Sequence, residues 1–197
     1  MWNTVLNLLL RTGKTPPGGM GGPDPTKDLF NAVLAAKQKE FNERNPGNQE
    51  PAVGSMVYCM LGPVEHSGIY IGQGYIAHLN GNGEIEVVSP KRFTDHVTTL
   101  NTDIFIPMDN DDYPIGDSEI AFRAIEMVGE ERNYNFLMDN CHQFSAGCIT
   151  GDFENASNFL FLVKHDFSKT MEQDSRWGRW KWEEEPYPFR CYKTSFW

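Results

Sequence analysis

The chain has 197 residues, 40% of them hydrophobic and 13% aromatic, which suits one domain with a real core, or one domain with arms. It carries 17 Lys and Arg against 27 Asp and Glu, a formal net charge of −10. That acidic balance argues against a nucleic-acid partner, because a phosphate backbone is bound by clustered Lys and Arg.

In chain order, residues 1–11 form a candidate amphipathic helix. The Pro- and Gly-rich stretch Lys14–Pro25 breaks regular structure and reads as a linker. Thr26 is a candidate N-cap for a helix to about Arg44, with Leu29, Phe30, Val33, Leu34 and Phe41 on one face. From Ala52 the pattern turns to strands: Ser55–Met60, Ser67–Ile71, Tyr75–Leu79 and Ile85–Val88. Gly72-Gln73-Gly74 marks a hairpin turn, and Asn80-Gly81-Asn82-Gly83 marks another. Ser89-Pro90 predicts a helix start reaching about His96, and Asp103–Pro107 a further strand. The acidic Asp109, Asp111 and Asp112 lack the pattern of a calcium loop and read as a solvated turn.

Asp117 or Ser118 caps a predicted helix over Glu119–Val128, stopped by Gly129. Asn140 caps the next, Cys141–Ile149, with Gly151 beyond it. Ala156–Lys164 reads as a helix apolar nearly all round, hence buried or docked. The tail 175–197 mixes Trp177, Trp180, Trp182, Tyr187, Phe189, Tyr192, Phe196 and Trp197 with charges. It reads as a surface strap, with peripheral membrane contact as the alternative. The fold class is therefore α+β: an antiparallel β-meander packed against helices. The expected division is 1–25 arm and linker, 26–174 domain, and 175–197 tail.

No apolar run approaches the ~20 residues of a membrane span. No basic residue precedes the apolar start, so no secretory signal is expected and the chain reads as cytoplasmic. Cys59, Cys141, Cys148 and Cys191 do not have the spacing of a stapled scaffold, and free thiols are the default. Cys59 and Cys148 read as core. Cys141, at a helix N-terminus, is the reactive candidate, since N–H groups and the helix dipole there favour a thiolate and can hold an oxyanion.

A thiol nucleophile needs a base and a group to orient it. His66 and His78 lie on two strands of one predicted hairpin. An odd-numbered loop sets the two rings directly opposite each other on one face. An even loop such as Gln73-Gly74 sets them on opposite faces, unless a bulge restores the pairing. A zinc site from His66, His78, Cys141 and His142 is the competing reading. His142 alone reads as a polar helix-surface residue. Tyr70 and Tyr75 read as packing, with an oxyanion role as the alternative, and His96 and His165 fall in no motif.

The run Glu65-His66-Ser67-Gly68-Ile69-Tyr70-Ile71-Gly72, with His78 twelve residues after His66, resembles the histidine box of the lecithin retinol acyltransferase-like family. Asn140-Cys141-His142-Gln143-Phe144 resembles that family's Asn-Cys motif, with His142 where members often carry Glu. The likeness spans roughly Val53–Gly151. It implies a circularly permuted papain-like thiol hydrolase fold, with Cys141 as nucleophile, His66 as general base and His78 as the orienting residue. It further implies an acyl-enzyme thioester, formed from an acyl-bearing small molecule, lipid or peptide, with lipid-type chemistry favoured. No cofactor or metal is expected. A cysteine peptidase or amidase on the same fold, or a non-catalytic binding module, are the alternatives.

Overall fold

The computed structural model describes residues 50–96, 101–132 and 140–182. The predicted helices over 1–11 and 26–44, the linker, Cys191 and the tail beyond residue 182 lie outside the described residues.

Six antiparallel strands form one sheet: β1 (Met56–Leu61), β2 (Val64–Gly72), β3 (Tyr75–Leu79), β4 (Ile85–Val88), β5 (Ile104–Met108) and β6 (Arg176–Trp180). Their spatial order is β4-β3-β2-β1-β5-β6. Among the described residues four helices accompany them: α1 (Pro90–Phe93), α2 (Ser118–Glu126), α3 (Cys141–Thr150) and α4 (Leu160–Thr170). The architecture is α+β.

Alternation along the strands sorts the core into two layers. One face carries Met56, Ile69, Ala77, Leu79 and Ile85 beneath α2, α3 and α4, which contribute Ile120, Ala124, Phe144, Ile149, Val163 and Phe167. The other carries Val57, Cys59, Tyr70, Ile76 and Val88 with Phe93 of α1 and Trp180 of β6.

Within the stretch read as a surface strap, residues 176–180 form the edge strand β6, paired with β5 from Ile104↔Trp180 to Met108↔Arg176. Trp180 is buried against Tyr70, so burying this aromatic offsets the cost of ordering the segment. The helix expected from Ala156 starts only at Leu160 and runs on to Thr170. Asn155 occupies the earlier backbone: its Oδ1 accepts from the Ser157 N–H, and its Nδ2 donates to the carbonyls of Gln143 and Asp152. Nor is that helix apolar all round in its packing, since Phe161 is 67% exposed. The helix expected to reach His96 ends at Phe93, where the Thr94 N–H and hydroxyl bond back to the Pro90 carbonyl.

Candidate active site

The β2–β3 hairpin turns through Gln73 and Gly74, both at positive φ (55° and 75°), the conformation of a two-residue type I′ loop. Such an even loop alone would separate the two histidines across the sheet. A bulge intervenes: Tyr70 pairs with Ile76 but Gly72 pairs with Tyr75, leaving Ile71 as the extra residue. Below it the register, fixed by Ile69↔Ala77, places Gly68 rather than His66 opposite His78. The rings of His66 and His78 therefore share a face, as diagonal neighbours. Gly68 leaves room between them: a Cβ there would come 2.8 Å from the Ala77 carbonyl oxygen and 3.1 Å from the Phe93 ring.

Across this diagonal Nε2 of His66 and Nδ1 of His78 are hydrogen-bonded at 2.8 Å. Phe93 packs on both rings, with centroids 4.8 Å from His66 and 5.6 Å from His78. Both imidazoles are buried. Burial, then the neighbouring imidazoles His78, His142 and His96, hold the pKa of His66 well below its ordinary value. Burial likewise brings His78 down to about 4, against the opposing pull of Glu86. The far nitrogen of His78, Nε2, is buried without a well-formed hydrogen bond; the Glu86 carboxylate oxygen stands 3.4 Å away.

Cys141 opens α3. The Asn140 side chain caps that helix, accepting from the N–H groups of His142 and Gln143, while its amide donates to the Asn158 carbonyl. At the other end Arg123 of α2 donates to the carbonyls of Cys148 and Ile149, a cation placed on the helix C-terminus. Every residue from Cys141 to Ile149 is buried.

The helix packs beneath β2, on the face opposite the imidazoles. Ser67, the residue after His66, anchors it. Its hydroxyl lies 2.8 Å from Nδ1 of His142 and 2.9 Å from the Ser145 hydroxyl, and donates to the Cys141 carbonyl at 3.2 Å. The backbone N–H and hydroxyl of Ser67 also stabilise the Cys141 thiolate, as do the N–H groups of Cys141 and His142. The β2–β3 pairing runs from Gly72↔Tyr75 to Ile69↔Ala77, and Ser67 lies two residues beyond it. On the β1 side, Cys59 is the cross-strand partner of His66, and burial pushes its thiol up to about 12. The bond from Ser67 to the Cys141 carbonyl ties the start of α3 to the strand that carries His66.

The thiol and His66 make no hydrogen bond to each other; the nearest imidazole nitrogen bonded to Sγ is Nδ1 of His142, at 4.0 Å. The expectation of a depressed thiol pKa is corrected. Burial outweighs the helix N–H groups and pushes Cys141 up to about 11. His142 is also corrected: it is buried and bonded to Ser67, and burial brings its pKa down to about 4.

Cys59 and Cys148 are buried core thiols, and the three described cysteines are free. The Tyr70 hydroxyl accepts from the Gly74 N–H at the hairpin tip and shores up the turn. Asp109 accepts from the N–H groups of Asp111 and Tyr113, closing its own loop. Among the described residues no three His, Cys, Asp or Glu converge as a metal-binding group. Sequence reasoning missed Ser67, Phe93 and Glu86. The first two look like ordinary strand and helix residues; Glu86 was findable, because β4 alternation puts it on the face of its partner His78.

A family model described as lecithin retinol acyltransferase matches residues 49–154, more than half of the chain. The human protein named phospholipase A and acyltransferase 2 is 27% identical over 111 residues, covering 48% of this chain and 67% of the human one.

Proposed function

The chain belongs to the lecithin retinol acyltransferase family, and from that premise we propose that it is a thiol acyltransferase or acyl hydrolase. Cys141 is the nucleophile, His66 the general base and His78 its orienting partner. The observation that carries this reading is the 2.8 Å bond between His66 Nε2 and His78 Nδ1, which leaves Nδ1 of His66 for a thiol.

At rest the pair is neutral. Burial disfavours both the thiolate and the imidazolium, so neither charge forms before substrate enters. The substrate carbonyl then meets Sγ while the thiol proton passes to His66. An S–C bond forms, and the carbonyl π pair becomes an oxyanion. The N–H groups at the start of α3 suit that charge. The oxyanion collapses, the acyl–oxygen bond breaks, and His66 returns the proton to the leaving oxygen. Water or an acceptor hydroxyl or amine, deprotonated by His66, then attacks the thioester and restores the thiol. The reaction requires Sγ of Cys141 and Nδ1 of His66 to come into hydrogen-bond contact when substrate binds.

The human relative's name supports a lipid-type acyl group. The order His…His…Cys fits a permuted papain-like arrangement, with a catalytic domain extending from about residue 26 through β6. Free thiols suit a reducing compartment, the cytosol. No described helix is long and apolar enough to cross a membrane.

A non-catalytic binding module is the second reading, favoured by the missing Cys141–His66 hydrogen bond. The two separate by intact mass after incubation with p-nitrophenyl butyrate or a fluorophosphonate. An adduct that maps to Cys141 and vanishes in Cys141→Ala establishes the enzyme. An intact chain without adduct, under conditions that label a papain control, leaves the binding module.

A further inference from the structure

We propose that Glu86 is a positioning residue that fixes the protons of the histidine pair, so that Nδ1 of His66 is a bare lone pair available to Cys141. The inference rests on Cys141 acting as the nucleophile, but its structural part can be tested separately.

Glu86 stands directly across from His78 in the β3–β4 ladder, so the two side chains project to one face. Its Oε1 lies 3.4 Å from Nε2 of His78. That nitrogen is buried and has no other partner among the described residues. Asn80, at the end of β3, donates to the same Oε1 at 3.1 Å and holds the carboxylate in place.

The proton positions follow from what each group can do. An ionised carboxylate only accepts, so the His78 nitrogen facing it must carry the hydrogen. A neutral imidazole has one N–H, so Nδ1 of His78 is an acceptor. Nε2 of His66, 2.8 Å away, must then be the donor, which leaves Nδ1 of His66 unprotonated. Without the carboxylate the same two rings can hold their protons the other way round, and that arrangement offers the thiol no base. Burial keeps both rings neutral, which is the condition the argument needs. The remaining charged or titratable neighbours are Arg92 of α1, which disfavours a proton on His78, and His142 and His96, which disfavour one on His66. Glu86 opposes them.

The test uses the full chain, p-nitrophenyl butyrate as acyl donor, and nitrogen-15 spectra of the two imidazoles. Wild type should show the Nε2–H tautomer for both His66 and His78. Glu86→Ala should mix the tautomers and slow Cys141 acylation about tenfold or more. Glu86→Gln should fall between, since its carbonyl can accept but its amide can also donate. Glu86 side chains are 36% exposed, so either variant should fold. The pH profile separates positioning from packing. Loss of the carboxylate lowers the proton affinity of the pair, so the acidic limb moves to lower pH. A merely structural role would let water in and move it upward, towards the ordinary histidine value. An Nδ1–H tautomer on wild-type His66 overturns the proposal. So does a Glu86→Ala chain with wild-type tautomers, rate and limb. If wild type is never acylated, the nucleophile assignment fails, and the tautomers alone still decide the role of Glu86.

Discussion

Nε2 of His66 bonds Nδ1 of His78 at 2.8 Å although the two residues are not cross-strand partners. Their shared face depends on Ile71, the extra residue of the bulge. A one-residue change of register sends every later side chain to the other face.

Deleting Ile71 should therefore separate the two rings and abolish acylation of Cys141. Ile71→Ala keeps the register and should lose only stability, about 2–5 kcal/mol for a buried Ile truncated to Ala. Circular dichroism checks folding, and p-nitrophenol release checks function. If the deletion variant folds and still acylates, the bulge is not what aligns the pair.

Cys141→Ala and His66→Ala should each reduce turnover to background. His78→Ala should retain measurable activity, because an uncharged orienting group contributes less than the base itself. His78→Asn and His78→Gln, which can still accept from His66, should do better than Ala. A steady-state series on one ester measures the order; His78→Ala as dead as His66→Ala would make His78 part of the proton transfer.

Buried neutral histidines predict acid sensitivity. The unfolded chain takes up protons near pH 6.5, whereas His78 and His142 in the fold resist until about 4. Between those values the unfolded state binds more protons, so stability falls as pH drops through that window and levels off below it. His142 contributes at most roughly 3 kcal/mol to this slope. Urea midpoints from pH 7 to 4 should fall in wild type and fall less in His142→Gln. Equal slopes would show that His142 does not titrate on unfolding.

The buried thiol predicts slow alkylation at neutral pH. Iodoacetamide labelling of Cys141 should rise about tenfold per pH unit towards pH 11, following the thiolate fraction. A plateau below pH 8 would instead mean a resting thiolate–imidazolium pair.

The sequence by itself determined the strands of the hairpin and the Asn140 cap and Gly151 stop of α3, and it singled out Cys141, His66 and His78 as candidates. These are local signals: alternation, a capping side chain and a glycine at positive φ act over a few residues. The tertiary structure decided what such signals cannot reach. An odd or even loop could be read from Gly72-Gln73-Gly74, but the bulge at Ile71 depends on which side chains both core layers accept. Trp177 and Trp180 looked like a tail until a sheet edge beside β5 was there to pair with them. The thiol pKa reversed for the same reason: a helix N-terminus is visible in sequence, but burial, set by everything packed around Cys141, is the larger effect.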